Sequence, residues 1–348
     1  MKKLVFAALA FGAMAACTKS NVQYEQPGEI SFQPVTQKAT KAAVDGATYP
    51  TEEAYNFKVW AWWGNDEAVV DETYSKFSSL YIDKGPFVHK GNNIWGGDPA
   101  YYWPTTGSLV FAGYSPATAE GTFTYTPSTK TFKVVDYTQS NLTAETKDLM
   151  WFDITDKSYN TRKIDNESPV ELIAKTAGVP VTFKHALSWL TFRFNVIDSE
   201  TSGKWIVKEV KLNDINTKGT GTAVKGTQNV DWNPTVTPLA INVFKKDDGH
   251  PIVYQADDNN ANTVDDGGVI VIPQPCTTVT IKFTQVNYAG GHQEQEITLP
   301  LNAGTADGST WKSGKKYIYT IKFAADEILI TPEVADWADV TVDVPVEF

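Results

Sequence analysis

The stretch KKYIYTIKF, Lys315 to Phe323, decides the fold. Tyr317, Tyr319, Ile321 and Phe323 fall on one face of an extended chain, and Lys316, Ile318, Thr320 and Lys322 on the other. A period of two with bulky apolar groups on one side is the pattern of a strand that buries one face. The same reading picks out Leu190, Phe192, Phe194 and Val196; Val279, Ile281 and Phe283; and Ile297, Leu299 and Leu301. Further upstream, NFKVWAWWG (56–64) and SLVFAGY (108–114) are apolar on both faces, as central strands covered on each side should be. ISFQPV (30–35) is a short strand interrupted by Pro34. Clusters of Thr, Asn, Asp, Gly and Pro separate these runs, so the chain reads as all-β, a sandwich or barrel of many short strands. The one helical candidate is a turn or two after Asp71, where Tyr74, Phe77, Leu80 and Tyr81 have helical spacing. A boundary is expected near 166–178, in NESPVELIAKTAG, with a new strand series from Val179.

The N-terminus carries a different signal. Lys2 and Lys3 precede the apolar run Leu4 to Ala16, which at thirteen residues is shorter than the roughly 20 a spanning helix needs. Met14-Ala15-Ala16-Cys17 then places small residues before a cysteine that can take a thioether-linked lipid. Residues 1–16 are expected to be a signal peptide, and Cys17 the lipidated first residue of an outer-membrane lipoprotein. Removing Lys2 and Lys3 leaves 28 of the 30 basic residues against 41 acidic ones, a formal charge of −13. Such a charge disfavours nucleic acid and anionic membrane faces as partners. Cys276 is then the only remaining thiol, so stability rests on core burial rather than a disulfide. A mature chain of 332 residues suits two domains.

Catalytic patterns are missing. His89, His185, His250 and His292 are scattered without metal-ligand spacing, and no Walker loop, GxSxG or GxGxxG after a strand occurs. Cys276, in PQPCTT, reads as a small hydrophobe. The acidic run around Asp257, Asp258, Asp265 and Asp266 lacks the order of a calcium loop and reads as a solvated hairpin. Neither a metal nor a cofactor is expected.

Four stretches, in this order behind the lipidation signal, resemble the fimbrillins, pilin subunits of type V pili. They are ISFQPVTQKATKA (30–42); IWGGDPAYYWPTTGSLVFAGYSP (94–116) with DLMWFD (148–153); VPVTFKHALSWLTFRFNV (179–196); and GKKYIYTIKFAADEILITPEVADW (314–337). The resemblance implies two tandem transthyretin-like β-sandwich domains, residues 17–172 and 173–348. It also implies a lipoprotein precursor whose first strand is removed by a protease, and a groove that then takes a strand from another subunit in a head-to-tail polymer. His185 is implied to be structural. Family processing is Arg-specific, yet the only arginines are Arg162 and Arg193, so Lys41, or failing it Lys38, is the implied cleavage site. No acidic residue follows Cys17 in Thr18-Lys19-Ser20-Asn21, so surface display is implied by the resemblance alone.

At the other end, Val340, Val342, Val344, Val346 and Phe348 alternate with Thr341, Asp343, Pro345 and Glu347. This segment is either a donor strand for another subunit or the last strand of its own domain. The competing reading of the whole chain is a monomeric glycan-binding lipoprotein that presents Trp60 and Trp62 as an exposed platform.

Overall fold

The computed structural model describes residues 28–36, 49–65, 69–139, 147–161, 170–172, 178–263, 268–286, 292–304, 308–324 and 328–336. These form strands β1 (Ser31–Thr36), β2 (Phe57–Gly64), β3 (Ser79–Gly91), β4 (Ile94–Gly97), β5 (Ser108–Ser115), β6 (Glu120–Thr126), β7 (Thr131–Thr138), β8 (Met150–Phe152), β9 (Ser158–Asn160) and β10 (Val170–Leu172). They continue with β11 (Val179–His185), β12 (Ser188–Val196), β13 (Trp205–Val224), β14 (Asp231–Pro251), β15 (Asn262–Thr263), β16 (Val269–Val271), β17 (Thr278–Val286), β18 (His292–Pro300), β19 (Lys315–Phe323) and β20 (Ile328–Asp336). Between them lie short 3₁₀ turns, so the all-β class is the observed one.

The first sheet closes on itself. Its order runs β5-β2-β3-β4-β1-β11-β8, and β8 returns to β5 through Gly113↔Phe152, Tyr114↔Trp151 and Ser115↔Met150. The turn between β3 and β4 contributes to this curl: Asn92 and Asn93 both have positive φ, 51° and 57°, between the paired Gly91 and Ile94. That conformation matches the right-handed twist of a tight hairpin, and Asn tolerates it better than most residues. Inside the ring sit Ile30, Phe32, Phe57, Val59, Phe87 and Phe111, all fully buried.

A second core lies on the outside of this ring. The alternate residues of β2, β5 and β8, namely Trp60, Trp62, Val110 and Trp151, pack under Phe123, Tyr125, Phe132 and Val134 of the β6–β7 hairpin. Phe132 stacks on Trp151 at 5.3 Å between ring centroids, and Tyr114 stacks on Phe123 at 4.0 Å. Both faces of β2 and β5 are therefore buried, which is why neither shows a polar side in the sequence.

The third core separates β12, β19 and β20 from β13, β17 and β18. β12 and β19 run parallel with Leu190↔Tyr317, Phe192↔Tyr319, Phe194↔Ile321 and Val196↔Phe323 in register, so their two alternating faces merge into one apolar floor. β17 lays Val279, Ile281 and Phe283 over it.

One strand joins the second and third cores. Along one edge β13 pairs with β14 from Ile206↔Pro251 to Thr222↔Asp231. Along its other edge it pairs first with β17, through Trp205 to Leu212, and then with β7, through Lys218 to Val224. The hairpin that covers the first ring is thus hydrogen-bonded into the sheet that covers the last core.

Two expectations need correction. VPVTFKH, expected to open the second strand series, is β11, which runs parallel to β1 inside the first ring; the next core starts with β12. Its inward residues Val179, Val181 and Phe183 face the same interior as Phe32. Nor is there a helix after Asp71. The Asp71 carboxylate accepts hydrogen bonds from the Thr73 and Ser75 backbone amides and from both hydroxyls, closing a local turn instead. Tyr74 takes a φ of 52° and is buried with Phe77, while Leu80 and Tyr81 are exposed on β3. These four hydrogen bonds hold the Asp71 carboxyl well below the usual range.

Gly221 on β13 has no room for a side chain: a Cβ there would lie 2.9 Å from Val230 Cγ1 and 3.1 Å from both Trp232 Cε2 and Val134 Cγ1. Gly221→Val should destabilise the protein by about 1–3 kcal/mol through overpacking. Urea unfolding followed by tryptophan fluorescence measures it; an unchanged midpoint would mean β13 is not seated against β7 and β14.

Candidate strand-acceptor site

The short strand with Pro34 is the six-residue leading element of the ring. β1 lies between β4, antiparallel through Ser31↔Gly96 and Phe32↔Trp95, and β11, parallel from Phe32↔Val179 to Thr36↔Phe183. The lead-in segment is held as well, with Ile30 N–H donating to Tyr101 O at 2.7 Å and Trp103 N–H to Gly28 O at 3.0 Å. Pro34 is tolerated because the β4 pairs end at Phe32, leaving no partner on that side for the N–H it lacks.

Alternation along β1 sets its role. Ile30 and Phe32 point inward and are fully buried, while Ser31 and Gln33 face outward. The Phe32 ring meets Phe57, Phe87 and Phe111 edge-on at 5.9, 4.8 and 5.1 Å, and Phe152 at a tilt at 6.3 Å. Such edge-to-face contacts add to plain area burial. Gly178, just before β11, lets the backbones come together: a Cβ there would lie 2.5 Å from the Phe32 carbonyl carbon. Without β1, the edges of β4 and β11 are unpaired and the phenylalanine nest is open on one side.

The mouth of the ring is sealed by polar groups. Tyr49, fully buried against Trp95, Phe57 and Phe183, donates its hydroxyl hydrogen to Tyr55 O (2.7 Å) and accepts from the Ser115 hydroxyl (2.5 Å). Burial pushes its phenol well above the ordinary value. His185, at the end of β11, pairs through Nδ1 with Asp148, both without solvent exposure. Burial raises the Asp148 carboxyl, and His185 opposes that shift. The pair ties β11 to the start of β8.

Other sequence candidates fall elsewhere. Cys17, Lys38, Lys41 and Val340, Val342, Val344, Val346 and Phe348 lie outside the described residues. Trp60 and Trp62 retain only 4% and 5% of their exposure beneath the β6–β7 hairpin, so the platform on which glycan binding was based does not exist. The periodicity already contained this answer, since a strand apolar on both faces is covered on both faces. Burial pushes the Cys276 thiol up to about 11, against reactivity at neutral pH. Asp258 is engaged by Lys322 and Asn195, and no cluster of three or more metal-ligating side chains occurs among the described residues. A cleft of about 530 Å³ lined by Val70, Asp71, Glu72, Tyr74, Lys130, Asp156 and Lys225 has both lysines committed, Lys130 to Glu72 and Lys225 to Tyr74, Asp156 and the Ile154 carbonyl.

The fold is similar to that of solved fimbrial and adhesion proteins. A fimbrial protein from Bacteroides vulgatus superimposes with a TM-score of 0.56 at 15% identity over 89% of this chain and 100% of its own. A structure assigned to cell adhesion from Bacteroides ovatus does so at 0.51 and 12%, over 90% and 99%. The fimbrillin-like family model matches residues 40–337, and the chain belongs to that family. No curated protein matches it in sequence. Family membership places the chain among the subunits of surface fimbriae.

Phe32→Ala should destabilise the uncut chain by about 3–5 kcal/mol, the cost of emptying a packed aromatic site. Denaturant unfolding of the purified protein measures this, and a loss below about 1 kcal/mol would show that β1 does not fill the ring in solution.

Proposed function

We propose that this chain is a structural or adhesive subunit of a surface fimbrium that polymerises by donor-strand exchange. On this reading it is exported as a lipoprotein anchored through Cys17, and β1 is the strand that proteolysis removes. The observation that carries the proposal is the position of β1: it completes a closed ring from a short leading segment, and the sequence between β1 and Tyr49 contains Lys38 and Lys41. Cutting there severs β1 from the rest of the chain. Loss of β1 then exposes two sheet edges and an apolar nest, which main-chain hydrogen bonds and alternate side chains of another subunit's strand can refill. The family's usual arginine is absent, so a Lys-accepting protease is required.

N-terminal sequencing of surface protein should give a form beginning at Ala42 or Ala39, and an unboiled gel should show a ladder. Lys38→Gln together with Lys41→Gln should leave an uncut monomer; filaments of normal length from that double variant would exclude both sites.

The donor is proposed to be the C-terminal segment, whose Val340, Val342, Val344, Val346 and Phe348 share a face. Deleting residues 340–348 should stop filament growth while leaving a monomer that unfolds cooperatively. If the truncated chain fails to fold, the segment belongs to its own domain and the donor lies elsewhere.

A further inference from the structure

Tyr49 is separated from β1 by the sequence that contains Lys38 and Lys41, so a cut at either lysine removes β1 and leaves Tyr49 with the body of the protein. Its side chain is fully buried although it lies outside the strands. The ring meets Phe183 of β11 at 4.8 Å, Trp95 of β4 at 5.4 Å and Phe57 of β2 at 5.8 Å. β4 and β11 are the two strands that β1 joins, so one ring touches both sides of the gap that removal of β1 opens.

The three residues it touches are also neighbours of β1. Trp95 is the register partner of Phe32, Phe183 that of Thr36, and the Phe57 ring meets the Phe32 ring at 5.9 Å. A side chain from the retained part of the chain thus packs on the same residues as the strand that leaves. Two kinds of contact fix it. The hydroxyl donates to the Tyr55 carbonyl and accepts from Ser115, whose strand β5 pairs there with Met150 of β8. Burial holds the phenol well above its ordinary value, so at neutral pH it stays an uncharged donor. The ring is edge-on to Trp95 and Phe57 and tilted on Phe183, geometry that adds attraction to plain burial.

We propose that Tyr49 is a positioning residue of the strand-acceptor site: bridging β4 and β11 from inside the ring, it keeps their edges apart and in register while another strand takes the place of β1. The inference rests on the strand-acceptor reading of that site. The body left by cleavage is then preorganised, and an incoming strand pairs without first having to order the ring.

Two measurements test this. In the uncut full chain, Tyr49→Ala should speed hydrogen exchange at the β1 amides at least tenfold and leave the amides of β17 and β19 unchanged, a local loosening of the seat. Tyr49→Phe keeps the ring and loses only the hydroxyl contacts, and should speed it about two- to tenfold, the scale of one hydrogen bond. For strand uptake, residues 39–44 are replaced by the recognition sequence of a site-specific protease, the full chain is cut with β1 seated, and a labelled peptide of residues 28–38 is added in excess. The wild type should take up the peptide and hold it at least tenfold more tightly than Tyr49→Ala, with Tyr49→Phe between them. Unchanged β1 exchange in Tyr49→Ala, or equal peptide affinity, overturns the proposal while leaving the acceptor reading in place. A wild-type chain that never takes up the peptide refutes the acceptor reading and this proposal with it. If Tyr49→Ala does not fold, Tyr49→Leu, apolar but without aromatic edge or hydroxyl, carries the same comparison.

Discussion

The pairing of β1 on both sides is the constraint on which the first half of the protein depends. A sheet that closes has no edges, and here closure passes through a strand of six residues held by a handful of main-chain bonds to β4 and β11. The interior it completes is crowded with aromatic rings, and β2, β5 and β8, which carry several of them, turn their alternate residues toward the β6–β7 hairpin. β2 and β5 bury one face against Phe32 and the other against Tyr125 and Phe132, so the state of the ring is felt on its outer surface too.

β13 extends that dependence to the rest of the chain. Its first half completes the sheet over the third core and its second half holds the hairpin that covers the ring. The irregular pairing with β14 bends a twenty-residue strand enough to serve two differently oriented surfaces, because each bulge adds local twist. The cores are consecutive in sequence only in part; β6 and β7 come from the first half and are hydrogen-bonded to the second.

What could be read in the sequence was the face of each strand and not its partner. Leu190 to Val196 and Tyr317 to Phe323 announced buried faces by alternation, yet nothing local says that the two run parallel, side by side and in register. Pairing between residues 80 or more positions apart leaves no periodic trace, so neither the place of β11 beside β1 nor the β7–β13 pairing is legible in the sequence. Tyr74, Phe77 and Tyr81 had helical spacing by coincidence; the Asp71 side chain, which bonds the amides just after it, decided the local geometry. Trp60 and Trp62 were legible as core from the two-sided apolar run and only chemical stereotype made them a sugar platform. For the site, Pro34 and the brevity of its strand were visible, whereas the phenylalanine nest around Phe32 gathers residues from four separate strands.

The chemistry of that nest has one more consequence. Its contacts are apolar rings, and charge takes no part in holding Phe32 between Phe57, Phe87 and Phe111. Ionic strength screens charges and leaves such contacts untouched. Cooling, by contrast, weakens apolar association, since its driving force near room temperature is the entropy of water. Apolar contacts of this kind hold a seated strand in dilute and in salty surroundings alike, and less firmly in the cold than near room temperature.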